Sequence, residues 1–332
     1  MSLARSALRR LWSSRGPSFL RRSAALAVIA LAVGIVSGGA VRLTGSGLGC
    51  SNWPACTSSS VVAPLHYHAW VEFGNRLVNV VITLGVILVA VGALRRRPRR
   101  TDLVLLAWGL VAGIFAEVVL GGETVLHKLA PSFVMAHFLL AMVLLADAVV
   151  LYHRSCQPEE TSDLPEGRAR VLPATCLVRR SQVLASRCIL GITAVVVVLG
   201  AVVTSTGPNA GAPGVPRFGF TLHTMAQLHG TSVELLLALT VATLWTLHRA
   251  GTAPGVLHRG EILLVVLVVQ AAVGYTQYFT GDPALLVGVH LAGATSVLVA
   301  VLAFNLGLYV RGPGVTGQTV SDRKSARQLA RT

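Results

Sequence analysis

Three histidines, His137, His229 and His290, stand inside long apolar runs of a 332-residue chain. Ionisable groups in such surroundings are costly to keep and are candidates for function by default. Two of them follow matched segments. Glu117-Val118-Val119-Leu120-Gly121 precedes His137 at the same spacing as Gln270-Ala271-Ala272-Val273-Gly274 precedes His290. The interval from Asn75 to Gly121 matches the interval from His229 to Gly274 to within a single position. One half therefore carries His229 and His290, and the other carries Asn75 and His137 in the same places. Two imidazoles at equal depth on helices a bundle diameter apart can ligate one haem iron from opposite faces. A lone buried histidine reads more simply as a helix-to-helix hydrogen bond. A depth-matched pair repeated in register points instead to cofactor ligation. Zinc fits less well, because no cysteine or carboxylate shares that depth in the second half to complete a tetrahedral set.

The elements that must position these side chains follow from composition. The chain is 53% hydrophobic and 12% charged, whereas a soluble domain carries about a quarter charged residues. Apolar runs near the ~20 residues needed to cross a bilayer recur at 24–43, 69–94, 103–123, 131–151, 183–206, 223–247, 261–280 and 284–310. The expected fold is an all-α integral membrane protein of eight transmembrane helices, arranged as two tandem four-helix bundles. The first run follows an Arg-rich segment but lacks an A-x-A cleavage site, so it reads as a retained helix.

The net charge of +15 lies between the apolar runs rather than in a folded basic domain, which argues against nucleic acid as a partner. The basic residues fall at the N-terminus, in Arg95–Arg100, in 152–182, between Arg249 and Arg259, and in the C-terminal tail. The intervening loops hold little more than Lys128 and Arg217. The positive-inside rule then places both termini in the cytoplasm of a multi-pass protein of the plasma membrane. Each of the three histidines falls about six residues inside an outer helix end, or ~9 Å at 1.5 Å per residue. The organisation reads as a basic cytoplasmic tail (1–22), a first four-helix half (23–151), a cytoplasmic linker (152–182), a second half (183–310) and a second tail (311–332).

Other polar residues sort by depth. Glu72 lies three positions before Asn75 and shares its helix face, whereas Ala226 holds the equivalent place before His229. Glu117 and Glu123 are placed to line a cavity or its rim, and Asp147 and Glu234 lie deeper, where they would bond helix to helix. His66, His68, His127 and His223 fall at the interface or in loops. His153, His248 and His258 accompany the cytoplasmic basic residues.

Several segments together resemble the haem A synthase family. They are Arg42-Leu43-Thr44-Gly45-Ser46-Gly47-Leu48-Gly49-Cys50 with Trp53-Pro54 and Cys56, Glu72-Phe73-Gly74-Asn75-Arg76-Leu77, Val119-Leu120-Gly121-Gly122 with Thr124-Val125-Leu126, and Pro131 before His137-Phe138. The motifs concentrate in the first half, and the second matches through His229, His290 and spacing. The resemblance implies oxidation of a ring methyl of haem O to a formyl group by successive hydroxylations, giving the haem A of terminal cytochrome oxidases. It implies haem B as a cofactor in the second half, with His229 and His290 as axial ligands to iron. It puts the substrate haem in the first half with His137 as a ligand to its iron, and with Asn75 and Arg76 at that site. Glu72 corresponds to a family glutamate in a Glu-x-x-His-Arg motif. It takes a catalytic, proton-handling role, alongside the alternative of a structural carboxylate paired with Arg76. Asn75 stands where the family commonly has histidine. An amide is a poor iron ligand, so the substrate haem is expected to be held on one side by His137.

Cys50 and Cys56 share one outer loop, a setting where disulfides persist. The family often has such a pair, and a disulfide or redox pair is expected. Cys156, Cys176 and Cys188 should be reduced. The implied partners are membrane lipid, haem O handed over by a haem O synthase, and an electron donor that the sequence does not name; homo-oligomerisation is compatible with such a bundle. The competing reading is a bis-His membrane cytochrome b that transfers electrons from quinol. It accounts for the histidines but not for Glu72 or the first-loop motif.

Overall fold

The computed structural model describes residues 16–160, 170–172, 174–208, 210 and 215–311. Eight helices dominate: α1 (Gly16–Leu43), α2 (Tyr67–Arg95), α3 (Thr101–Leu126), α4 (Pro131–Ser155), α5 (Arg180–Thr206), α6 (Leu222–Arg249), α7 (Pro254–Phe279) and α8 (Ala284–Gly307). All eight are long and apolar enough to cross a membrane, from 24 residues in α8 to 29 in α2. At 1.5 Å per residue each exceeds the ~30 Å hydrocarbon thickness. Large apolar side chains point outward along them, among them Leu26, Phe115, Trp245 and Val265. A surface of that kind suits lipid and would be a liability in water.

Local sequence sets the helix ends. Pro131 and Pro254 open α4 and α7 at a position where a missing N–H costs nothing. The Thr221 side chain caps α6, its hydroxyl oxygen accepting the Thr224 N–H at 3.3 Å, which satisfies a donor that the first turn would leave orphaned. Gly251 and Gly281, both at positive φ, turn the chain into α7 and α8 without steric cost. These tight turns make successive helices antiparallel neighbours.

Helices α1 to α4 close into one bundle, each packed on the next and α4 back on α1; α5 to α8 do the same. Leu20, Leu31, Val86, Leu103, Leu110 and Leu145 fill the first core. Ile189, Leu236, Leu247, Leu263, Val301 and Phe304 fill the second. The bundles meet along one seam: α4 lies against α8, with α1 against α8 and α5 against α4 to either side. A Cβ on Gly39 of α1 would collide with Leu291 of α8, so that glycine permits the close approach. Buried hydroxyls within the helices bond back to their own backbone, as Thr193 does to the Ile189 carbonyl at 2.8 Å. Asn305 of α8 donates to Ser186 of α5 at 2.9 Å.

Several boundaries differ from the sequence expectation. Helix α1 starts at Gly16, not near residue 24, and exposed Arg21 and Arg22 extend from its first turns. Long basic side chains can reach water while the backbone stays helical. Helix α7 starts at Pro254, not 261. Segment 152–182 is not a plain linker. It carries the end of α4, the paired strands β1 (Glu159–Glu160) and β2 (Arg170–Val171), the strand β3 (Ala174–Cys176) and the start of α5. The last apolar run ends in a strand rather than a helix: β4 (Tyr309–Arg311) pairs antiparallel with β3, Thr175 opposite Val310. Residues 1–15 and 312–332 of the two expected tails lie outside the described residues.

Candidate haem-binding and oxidation site

In the second bundle, His229 of α6 and His290 of α8 face one another with ring centroids 6.3 Å apart and planes inclined at 70°. An iron bound by two imidazole nitrogens at about 2 Å each spaces the ring centroids by roughly 6 Å. Each ring is held from behind. His229 Nδ1 lies 3.1 Å from the Val196 carbonyl of α5, to which it donates. The Gln270 amide of α7 lies 3.1 Å from His290 Nδ1 and donates to the His290 carbonyl at 2.8 Å. Donation from Nδ1 to a carbonyl fixes the His229 ring and leaves its Nε2 for a metal; the Gln270 amide nitrogen, itself a donor, orients the His290 ring from the other side. Glycines make room for both rings. A Cβ on Gly200 would lie 3.1 Å from His229 Cε1, and one on Gly274 would lie 2.9 Å from His290 Cε1.

The first bundle repeats the plan with one ring. His137 of α4 packs against Gly121 of α3, where a Cβ would lie 3.3 Å from its Cε1. The Glu117 carboxylate, also on α3, faces His137 Nδ1. Asn75 of α2 turns its side-chain oxygen to α1, where Ser37 donates to it at 2.6 Å. Asn75 and His137 therefore do not form a second imidazole pair. Among the described residues no group of three or more His, Cys, Asp or Glu side chains comes together as a metal set. A haem iron needs only one or two protein ligands, because the macrocycle supplies the rest, so the donors present fit a haem.

A disulfide-bonded loop lies across the same end of the first bundle. Cys50 and Cys56 are bonded, their Cα atoms 4.4 Å apart, and both are fully buried. Glu72 is buried beneath them: one oxygen accepts the Cys50 N–H at 2.8 Å, and the other pairs with Arg76 at 2.6 Å. Arg76 also donates to the carbonyls of Asn52 at 3.0 Å and of Pro54 and Ala55 at 3.2 Å. The pair thus clamps the loop onto α2. Trp53 of that loop covers Gly122, where a Cβ would come within 2.9 Å of its ring. His68 is bound to Ser46 Oγ at 2.9 Å.

Two of the remaining acids have local partners. Glu123 pairs with His127 at 3.2 Å, and the His127 ring stacks on Phe133. Glu234 of α6 accepts the Tyr275 hydroxyl of α7 at 2.6 Å, a helix-to-helix bond of the expected kind. Asp147 of α4 packs against Gly109 of α3 but does not make the helix-to-helix hydrogen bond expected of it: its buried Oδ1 has no partner among the described residues. Cys156, Cys176 and Cys188 are free thiols. Arg42, in the last turn of α1 beside the seam, has a buried Nε without a hydrogen-bond partner. Two relationships are missed by the sequence reasoning: Glu117 with His137, and Gln270 with His290. Both residues head the two matched segments and stand at the same spacing before their histidines, so the repeat itself held the signal.

The family model described as COX15-CtaA, cytochrome oxidase assembly protein, matches residues 21–302. The haem A synthase of Shouchella clausii is 23% identical over 302 residues, 88% of this chain and 97% of that one. The haem A synthase of Geobacillus kaustophilus is 30% identical over 105 residues, 31% of this chain and 32% of its own length. That of Lysinibacillus sphaericus is 25% identical over 134 residues, 40% of this chain and 44% of its own. The matched stretch thus spans less than half the length of these last two relatives. The family match runs from α1 into α8, through both bundles, and the chain belongs to the COX15-CtaA family of cytochrome oxidase assembly proteins.

Proposed function

We propose that this protein is a haem A synthase, which oxidises one ring methyl of haem O first to an alcohol and then to a hydrated aldehyde that loses water. The observation that carries this reading is the unequal pair of sites. His229 and His290 stand 6.3 Å apart in one bundle, and His137 stands without a second imidazole in the other. His229 and His290 hold haem B, with the Val196 carbonyl and the Gln270 amide fixing the two rings. Haem B, when bound, supplies one-electron exchange. His137 binds the substrate haem. Asn75, its oxygen taken by Ser37, leaves the opposite side of that site without a protein ligand.

Glu72 and Arg76 act at the same end of the first bundle. Their ion pair anchors the disulfide loop, which excludes water from the site below it. Glu72 also holds or passes a proton during methyl oxidation, a task suited to a positioned carboxylate. Arg42 offers a cation to a carboxylate of the bound porphyrin, since a buried guanidinium nitrogen left unpaired is costly. The concentration of Arg at the opposite end of the bundle supports an orientation with both termini in the cytoplasm of a plasma-membrane protein.

Electron transfer by a bis-His cytochrome b accounts for His229 and His290 but leaves the Glu117–His137 pair without a task and Glu72 with its structural role alone. Co-expression with a haem O source, followed by identification of extracted haems by mass, separates the two. Haem A or its alcohol precursor is the expected product. Haem B alone, with haem O unconverted, would overturn the synthase reading.

A further inference from the structure

We infer that Glu117 and Gln270 are equivalent positioning residues whose difference in charge makes the two haem sites electronically unequal. The inference rests on the assignment of His137 and His290 as iron ligands. Glu117 of α3 and Gln270 of α7 hold the same place in the two bundles. Each stands one turn before the glycine that receives the imidazole edge, Gly121 or Gly274, and the two stand at identical spacing from their histidines. Each side chain meets the Nδ1 of its histidine.

The contacts differ in kind. Gln270 leans across Gly293, whose missing Cβ leaves room for the amide, and binds the His290 backbone as well as the ring. Leu140 takes the place of Gly293 in the first bundle. Among the described residues Glu117 has no hydrogen bond to any third group, and neither does His137 Nδ1. The carboxylate therefore serves the ring alone.

A carboxylate accepting Nδ1–H concentrates electron density on the imidazole and makes Nε2 the stronger donor; the Gln270 amide nitrogen is a donor and gives the His290 ring no such support. A more strongly donating ligand favours the oxidised iron. The half assigned to methyl oxidation thus has one imidazole backed by a carboxyl side chain. The half assigned to electron exchange has two imidazoles backed by neutral groups.

The test uses full-length protein loaded with haem B and haem O, with redox titration of each haem followed by its absorption spectrum. Glu117→Gln should raise the first-site potential by at least about 59 mV, a tenfold change in a one-electron equilibrium, and leave the second site unmoved. Gln270→Glu should lower the second-site potential and spare the first. An unchanged haem B spectrum in Glu117→Gln shows that the variant is folded. If haem O loads in a His137-dependent way and Glu117→Gln leaves its potential within about 10 mV of wild type, on the order of a 1.5-fold change, the inference fails and the ligand assignment stands. If loading is indifferent to His137→Ala, the ligand assignment fails and takes the Glu117 role with it. A Gln270→Glu variant with an unmoved second-site potential overturns the equivalence of the two positions.

Discussion

The Glu72 carboxylate meets the Arg76 guanidinium at 2.6 Å, one helical turn away on α2, and with its other oxygen takes the Cys50 N–H of the disulfide loop. Two roles are therefore combined in one side chain, and substitution separates them. Glu72→Gln keeps the shape and a neutral hydrogen bond; Glu72→Ala removes both links. The alanine variant should lose about 1.5–3 kcal/mol, the worth of hydrogen bonds to a charged group, measured as thermal unfolding in detergent. The glutamine variant keeps one acceptor oxygen for the loop, should lose less stability than the alanine variant, and should lose haem A production. If it keeps full production, the proton-handling role of Glu72 is wrong and only the clamp remains.

Histidine replacements should divide by bundle. His229→Ala or His290→Ala should abolish the low-spin haem B spectrum of the purified protein. His137→Ala should leave that spectrum intact and stop conversion of haem O. A haem B spectrum lost equally in all three variants would contradict the division of labour.

The glycines behind the rings give a steric test. Gly274→Val places atoms against His290, whose Cε1 already lies 2.9 Å from a Cβ at that position. Haem retention should fall about tenfold or more, the range seen when groups that orient a metal ligand are disturbed. Gly191→Ala on α5, where an added Cβ meets nothing within 4 Å, should retain haem as wild type does.

Asn75→His would offer a second imidazole to the first site. The substrate haem should shift to a six-coordinate, low-spin spectrum and its oxidation should slow. Unchanged ligation and unchanged turnover would remove any special role for Asn75.

The helices, their number and the three histidines set in register within them were legible because each rests on a strong physical contrast. A charge or an imidazole in a long apolar run is expensive, and the same offset in both halves makes accident a poor explanation. Helix ends were less legible. Arg21 and Arg22 look like a tail, yet long side chains can leave a helix for the interface while the backbone stays helical. The pairing of Ala174–Cys176 with Tyr309–Arg311 joins short strands far apart in the chain, with too few residues to show a period. The acid at Glu117 reads as a cavity or rim residue because sequence gives depth but not direction. Only the packing of α3 on α4 turns it toward His137.

The seam between the bundles has a further consequence. With α4 against α8 on the axis, and α1–α8 matched by α5–α4 on either side, the contacts have the pattern of an isologous homodimer. Two identical four-helix subunits meeting in this way would carry two identical pockets, and every substitution would appear twice. Fusion of the pair into a single polypeptide lifts that constraint. One copy is then free to carry an amide and acids at places where its sister carries an imidazole and neutral residues.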